Sequence, residues 1–445
     1  MWNLCLTTMK NEFQSMKKRI DIITLGCSKN LVDSEQLMKR FLDCGLEVHH
    51  DSDNVCGDIV VINTCGFIGD AKEESISTIL EYAQAKTEGK IRQLYVMGCL
   101  SERYRNDLLK EIPEIDKLYG KFDWSDLIKD VLHSNPATLP YERVITTPSH
   151  YTYIKISEGC NRFCAFCAIP LITGRHKSRP MDEILSEVKM LVSRGVKEFN
   201  VIAQDLSSYG LDLTGKMMLP ELIDKMAQIE GVKWIRLHYA YPAQFPYEIL
   251  DVMNRHDNVC KYLDIALQHI NNTVLSNMRR HITKDETLEL IRTIREKVPG
   301  IHLRTTLMVG FPGEDDAAFE ELMDFTHSVR FDRMGAFAYC EEEDTYAAKN
   351  FEDSISPEVK NRRLDKLMNL QETIALELNQ AKIGKEFEVI IDREDEEYYV
   401  GRTEFDSPEV DPEVLIRKSS PLKIGEFYRV VVKEALPFEL IAELV

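Results

Sequence analysis

The chain has 445 residues, 44% hydrophobic and 29% charged, with a formal net charge of −19. That length predicts two or three cores, and without a long apolar run no segment is expected to span a membrane. So acidic a balance lacks the basic footprint from which nucleic-acid binders draw sequence-independent affinity, and it favours a basic partner.

The opening stretch MWNLCLTTMKNEFQSM, residues 1–16, lacks the basic start, apolar core and cleavage site of a secretory signal, and its three methionines leave the start codon open within it. The eleven cysteines form an odd set with six in two groups, which predicts a reducing cytoplasm rather than a disulfide framework. Between residues 20 and 130, short apolar strands alternate with helical patterns: IDIITLG, LVDSEQLMKRFLDCG, DIVVINT, ESISTILEYAQAK, LYVMG and ERYRNDLLKEI. That rhythm predicts a doubly wound parallel sheet. Pro136, Pro140 and Pro148 in HSNPATLPYERVITTPSH break the alternation and mark a connector between domains.

A second alternation runs through YTYIKIS, FNVIA, WIRLHY, YLDIAL, HLRTTLMVG and RMGAFAY, and six such units predict a partial (β/α) barrel. Leu367, Leu370, Ile374 and Leu378 recur at helical spacing and predict an amphipathic helix packed on that barrel. Beyond Gly384 the period falls to two in FEVIID, EYYVG, VLIRK and FYRVVV, which predicts a small antiparallel β-barrel. The fold class is α/β, with domains expected at 18–135, 146–377 and 380–445.

Cys160, Cys164 and Cys167 lie in EGCNRFCAFCAIP at the spacing C-x3-C-x2-C. Three thiolates so placed can hold three irons of a 4Fe-4S cluster and leave the fourth free of protein, where substrate binds. Electron carriers usually tie every iron to a cysteine, and structural zinc sites fill four positions. The competing reading is a zinc knuckle completed by a histidine such as His176. Cys27, Cys65 and Cys99 are far apart in sequence, yet each closes a predicted strand of the first alternation. In an open parallel sheet the carboxyl ends of the strands share one edge, so these thiols are expected to meet in a crevice there. Gly26, Gly66 and Gly98 would let backbone approach a bulky cluster, and the competing reading is ordinary buried cysteine at strand ends. Cys5, Cys44, Cys56, Cys260 and Cys340 are expected to be small buried hydrophobes.

Taken together, GCSKNLVDSE around Cys27, NTCGF around Cys65, GCL at Cys99 and EGCNRFCAFCAIP resemble the methylthiotransferases, a branch of the radical S-adenosylmethionine (SAM) enzymes. The resemblance runs from Arg19 to Val445 and implies two 4Fe-4S clusters. One would sit on Cys27, Cys65 and Cys99; the other, on the catalytic Cys160, Cys164 and Cys167, would bind SAM at its open iron. It also implies that the last domain is a TRAM domain. KNLVDSE, LDIALQHI and GRTEFDSPEVDP are similar to the branch that methylthiolates the β carbon of an aspartate in a small-subunit ribosomal protein. Ser28 departs from the proline many relatives carry, but it is not a ligand.

That β C–H bond has no acidity a protein base can use near neutral pH, so the reaction calls for a radical. By resemblance, the Cys160 site makes the radical and the Cys27 site presents sulfur, methylated beforehand by a second SAM. Gly310 and Gly313 in TTLMVGFPGEDD match a glycine-containing turn near SAM in such enzymes; the competing reading is a plain turn capped by Glu314 and Asp315. Gln204 and Asp205 follow FNVIA, where a parallel barrel places site residues, and are expected to contact SAM. His238 and His269 are expected to be satisfied core histidines. Residues 380–445 carry nine Lys and Arg against sixteen Asp and Glu, which suits a basic protein substrate better than RNA. The expected partners are that ribosomal protein and an electron donor such as flavodoxin or ferredoxin, with no membrane and no strong nucleic-acid binding. A tRNA methylthiotransferase and a non-catalytic iron-sulfur electron carrier are the competing functions.

Overall fold

Runs of Ile and Val set the first sheet. In the computed structural model, which describes residues 18–132 and 141–445, the chain divides into two compact units, 1–146 and 147–445. The readings for residues 1–16, Cys5, Pro136 and Pro140 lie outside the described residues.

In the first unit, β1 (Arg19–Thr24), β2 (Glu47–His50), β3 (Ile59–Thr64), β4 (Gln93–Gly98) and β5 (Lys117–Leu118) form a parallel sheet in the order β2-β1-β3-β4-β5. The central strand β3, Ile-Val-Val-Ile-Asn-Thr, is buried at every residue, as a strand covered on both faces should be. Ile20, Ile22 and Val61 pack with Leu37 and Phe41 of the helix Ser28–Asp43 and with Leu127 and Val131 of the helix Trp124–Leu132. From alternate positions Val60, Ile62 and Val96 pack with Ile79 and Ala83 of the helix Gly69–Thr87. This is the expected doubly wound sheet.

Three elements were not legible: β2 is Glu-Val-His-His with no apolar run, β5 has two residues, and the helix Trp124–Leu132 directly precedes the connector. The second half of that connector is pinned to the first unit. Glu35 accepts hydrogen bonds from Thr146 N–H at 2.8 Å and Thr146 Oγ1 at 2.9 Å, and pairs with the fully buried Arg143.

In the second unit, β6 (Tyr151–Lys155) is followed by the short antiparallel pair β7 (Ser157–Glu158) and β8 (Lys177–Ser178). β9 (Glu198–Ile202), β10 (Trp234–Ala240), β11 (Val259–Ile265), β12 (His302–Val309) and β13 (Arg333–Ala338) then join β6 in one sheet of order β13-β12-β11-β10-β9-β6, every pair parallel. This is the expected six-stranded partial barrel. Local chemistry starts its helices: Thr283 and Glu286 form a reciprocal capping box at Lys284–Lys297, and Ser356 with Pro357 opens Pro357–Gln380. Along that last helix Leu367 and Ile374 are buried while Leu370 and Leu378 are half-buried, the stripe anticipated from their spacing.

β14 (Glu386–Glu394), β15 (Tyr398–Thr403), β16 (Glu413–Arg417), β17 (Phe427–Ala435) and β18 (Glu439–Leu444) close a barrel around Val389, Ile391, Val414, Ile416, Val430 and Val432. Two features correct the simple antiparallel reading. A fifth strand, Glu-Leu-Ile-Ala-Glu-Leu, lies at the chain's end, and it closes the barrel by pairing parallel to β16. The expectation of buried spare cysteines is corrected as well. Cys260 is 1% exposed inside β11, but Cys44, Cys56 and Cys340 are exposed. Each of these three falls just outside a helix or strand, where water reaches the thiol.

A charged network ties the sheet to the small barrel. Fully buried Glu198 accepts from Arg236 Nε at 3.1 Å and from Arg402 Nη1 and Nη2 at 3.0 and 2.7 Å. Arg402 also donates to Asp392 at 2.6 Å, and Asp392 meets His150 Nε2 at 2.8 Å. Removing one partner leaves an uncompensated buried charge, so Glu198→Ala is expected to destabilise this unit by about 3–5 kcal/mol; an unchanged denaturation midpoint would contradict that.

His302 stacks on Phe405 at 4.1 Å, and burial pushes its imidazole down to about 4 from the usual 6.5. Below 6.5 the unfolded chain takes up a proton that the folded chain refuses until about 4. The stabilisation is therefore full above 6.5 and is lost as pH falls from there to about 4. His302→Leu should flatten that part of the stability–pH curve, and a curve of unchanged slope would contradict the assignment.

Candidate iron-sulfur and cofactor sites

Because β1, β3 and β4 are parallel neighbours, their carboxyl ends leave the sheet along one edge. Cys65 directly follows β3, Cys99 follows β4, and Cys27 caps the helix Ser28–Asp43 just beyond β1. Glycines make the approach possible. Gly26 has φ +90°, and a Cβ there would lie 2.7 Å from Cys65 Cβ and 2.9 Å from its Sγ. Gly98 has φ +104°, and a Cβ there would stand 2.6 Å from Asn63 Oδ1.

The three thiols feel one another. Burial pushes Cys99 up to about 12, with Lys121 opposing and the charges of Cys27 and Cys65 adding. Burial likewise raises Cys65. Cys27 is exposed to solvent at the sheet edge, and there desolvation by the neighbouring groups is outweighed by Lys29, Lys121 and two backbone N–H groups, so the net shift is downward. Asn30 stitches the edge together: its Nδ2 donates to Leu25 O and Thr64 O, both at 3.0 Å, and its Oδ1 accepts from Lys121 Nζ at 3.3 Å and lies 3.7 Å from Cys99 Sγ. Sequence reasoning passed over Asn30 and Lys121. Asn30 does lie in the quoted KNLVDSE string, whereas Lys121 is far from any motif.

The second triplet occupies the loop between β7 and β8. Its backbone is fixed by hydrogen bonds from Cys160 N–H to Gly174 O at 3.2 Å, Ala165 N–H to Met278 O at 2.9 Å and Cys167 N–H to Cys164 O at 3.1 Å. Burial pushes Cys160 up to about 12, opposed by the Arg162 N–H that points at its Sγ from 3.4 Å. Cys167 is pushed well up by burial, with the charges of Cys164 and Cys160 adding. Mutually interacting thiols at one place, with cations beside them, fit a shared inorganic cluster better than isolated core cysteines.

The remaining candidates fall around this loop. Buried Asp205 receives Arg162 Nε at 2.7 Å, so it anchors the cysteine loop. Gln204 donates to Glu158 Oε2 at 3.0 Å, and its own Oε1 is buried without a partner among the described residues, an orphan acceptor of the kind a ligand satisfies. Gly310 and Gly313 have φ +74° and +94°; a Cβ at the first would collide with the Lys360 side chain, and one at the second would lie 2.7 Å from Asn277 Nδ2. Asp315 caps the following helix, whereas Glu314 is held by Gly310 N–H at 3.0 Å and Arg363 at 2.8 Å. Close packing against Lys360 and Asn277 explains why neither position carries a side chain.

His176 turns to Ser178 Oγ at 3.1 Å. Among the described residues no three His, Cys, Asp or Glu side chains are arranged to hold a single metal ion. In a cubane each thiolate meets its own iron, so its ligands need not converge on one point. His269, bonded to Glu314 and Asn271 N–H, and His238, bonded to Asn200, are satisfied core histidines as expected.

The Radical SAM superfamily model matches residues 154–326, the Uncharacterized protein family UPF0004 matches 19–120, and the TRAM domain matches 383–445. Two solved structures share the fold: the radical SAM methyltransferase TsrM from Kitasatospora setae with cobalamin and [4Fe-4S] cluster bound, and the cobalamin-dependent SAM radical enzyme OxsB with aqua-cobalamin and SAM bound. The first has a TM-score of 0.57 at 13% identity, over 75% of this chain and 74% of that one. The second has 0.52 at 13%, over 81% and 56%. Fold and site together thus define a radical SAM enzyme.

The relatives narrow this further. The chain is 64% identical to the ribosomal protein uS12 methylthiotransferase RimO of Phocaeicola vulgatus over 96% of this chain and 99% of that protein. It is 47% identical to RimO of Cytophaga hutchinsonii over 97% and 99%. The chain belongs to the RimO family.

Proposed function

We propose that this chain is a radical SAM methylthiotransferase of ribosomal protein uS12 that modifies the β carbon of an aspartate and uses two 4Fe-4S clusters. The observation that carries the reading is the presence of two separate cysteine triplets, one in each compact unit, in a chain 64% identical to a RimO. Cys27, Cys65 and Cys99 would hold one cluster, and Cys160, Cys164 and Cys167 the other. When bound, these groups supply a one-electron cleavage of SAM and a place to hold sulfur. The chain's own residues bind and position: Gly26 lets the Cys27 turn close on Cys65, Gly98 lets the Cys99 turn close on Asn63 and Thr64, and Arg162 with Asp205 sets the second loop. Gln204, through its orphan oxygen, Asp205, and the backbone at Gly310 and Gly313 are the residues we assign to SAM.

The division into 18–135, 146–377 and 380–445 follows from the same reading. The acidic last domain, with a balance of −7, suits a basic ribosomal protein because opposite fields steer encounter. That acidity also disfavours tRNA as the substrate. No helix among the described residues is long and apolar enough to cross a membrane; we assign the chain to the cytoplasm, with a flavodoxin or ferredoxin as electron donor. The test is anaerobic reconstitution with SAM and dithionite, offering uS12 and bulk tRNA separately and weighing both by mass spectrometry. A gain of one SCH2 unit on uS12 is expected; the same gain on tRNA alone would overturn the assignment.

A further inference from the structure

Among the described residues, no carboxylate pairs with a buried guanidinium beside the second triplet. Arg280 is 3% exposed. Among the described residues its N–H groups reach Cys164 Sγ, 3.1 Å from Nη1, and the Ala266 carbonyl from Nη2, while Nε is buried without an acceptor. A cation taken out of water is strongly disfavoured unless a negative group faces it. The counter-charge of Arg280 is therefore the sulfur.

Arg162, the other guanidinium nearby, differs because its Nε is already paired with Asp205. Tyr241 stands between the two, its ring centroid 4.2 Å from Arg162 Cζ and 4.3 Å from Arg280 Cζ. Its hydroxyl donates to the Arg280 carbonyl at 2.7 Å and lies 3.8 Å from Cys164 Sγ. Tyr241 is itself fixed from behind, where its N–H donates to Ser207 Oγ at 2.9 Å and its carbonyl accepts from the same hydroxyl at 3.2 Å. Arg279 and His281 hold the left-handed φ values +56° and +55°, so the backbone on either side of Arg280 is constrained as well.

We propose that Arg280 sets the reduction potential of the Cys160, Cys164 and Cys167 site, raising it through a charge-assisted hydrogen bond to Cys164 Sγ, with Tyr241 as the post that aims it. The proposal rests on the reading that this triplet holds a cluster. Reduction passes one electron from the donor, which is oxidised, to the site, which gains one negative charge. A fixed cation in a dry surround stabilises that added charge, and hydrogen bonds to ligand sulfur act in the same sense. Arg280 and Tyr241 are thus positioning residues whose signature is a potential.

The test is a potential titration of the anaerobically reconstituted full chain, following the electron-paramagnetic signal that SAM addition perturbs, alongside iron content. Arg280→Met is expected to lower the midpoint potential, Arg280→Lys to lower it less because the charge remains but the fork is lost, and Tyr241→Phe to lower it slightly. Deoxyadenosine formation by Arg280→Met should fall with a mild reductant and recover with a stronger one, which a merely structural defect would not do. Should Arg280→Met lose iron, Arg280→Lys and Tyr241→Phe decide. Wild-type potentials in those variants at full iron content would overturn the proposal. A wild-type chain that binds no iron on this triplet would instead remove the underlying reading, and the proposal with it.

Discussion

Cys160→Ala is expected to abolish deoxyadenosine formation from SAM, a loss larger than the roughly 10–100-fold that follows when a hydrogen-bond partner of a metal ligand is removed. The reason lies in the ligand count. In the proposed site three thiolates would hold three irons, so no protein ligand would be spare, and Cys160 is firmly anchored: it is buried, its N–H is bonded to Gly174 O, and its Sγ faces the Arg162 N–H. Alanine leaves that N–H without its acceptor and the site with two thiolates. Deoxyadenosine formed at the wild-type rate by Cys160→Ala would contradict the assignment.

Cys65→Ala is expected to give the opposite pattern: SAM cleavage should continue while methylthiolated uS12 disappears. Cys65 belongs to the first compact unit and the SAM-directed triplet to the second, and each has its own core, so loss of a thiolate from one need not disturb the other. Cys65 is buried and abuts Gly26; its removal would take one of the three thiolates from the edge proposed to hold the first cluster. Quantifying deoxyadenosine and modified uS12 in the same reaction separates the two steps. Parallel loss of both products would show that the triplets do not divide the work.

Much of this was legible because short strands and cysteine spacing are local signals. IVVINT announces a buried parallel strand by composition alone, and once its neighbours are aligned Cys27, Cys65 and Cys99 must leave the sheet on the same side. C-x3-C-x2-C is legible for the same reason. What stayed hidden depends on contacts between distant residues. Nothing near Glu198 signals that Arg236 and Arg402 will close on it, and Lys121 reaches Asn30 across ninety-one positions. Arg280 looks like one more basic residue in NMRRH until the fold sets it on Cys164. β18 escaped notice because its alternation is short; it pairs antiparallel with β17 and parallel with β16, and the second pairing is one that no hairpin signal announces. Gly310 and Gly313 stand out in the sequence as a motif, but that Lys360 and Asn277 fill the space a side chain would need is set by distant contacts.

The central claim is that two open-sided clusters reside on two triplets, and counting iron tests it most directly. Oxygen-protected, reconstituted wild-type chain should carry about eight irons, and alanine replacement of either Cys27, Cys65 and Cys99 or Cys160, Cys164 and Cys167 should leave about four, in the spectroscopic state of a 4Fe-4S cluster each time. Wild-type protein that held only zinc, or that assembled a single iron centre and still converted uS12 fully, would contradict the account.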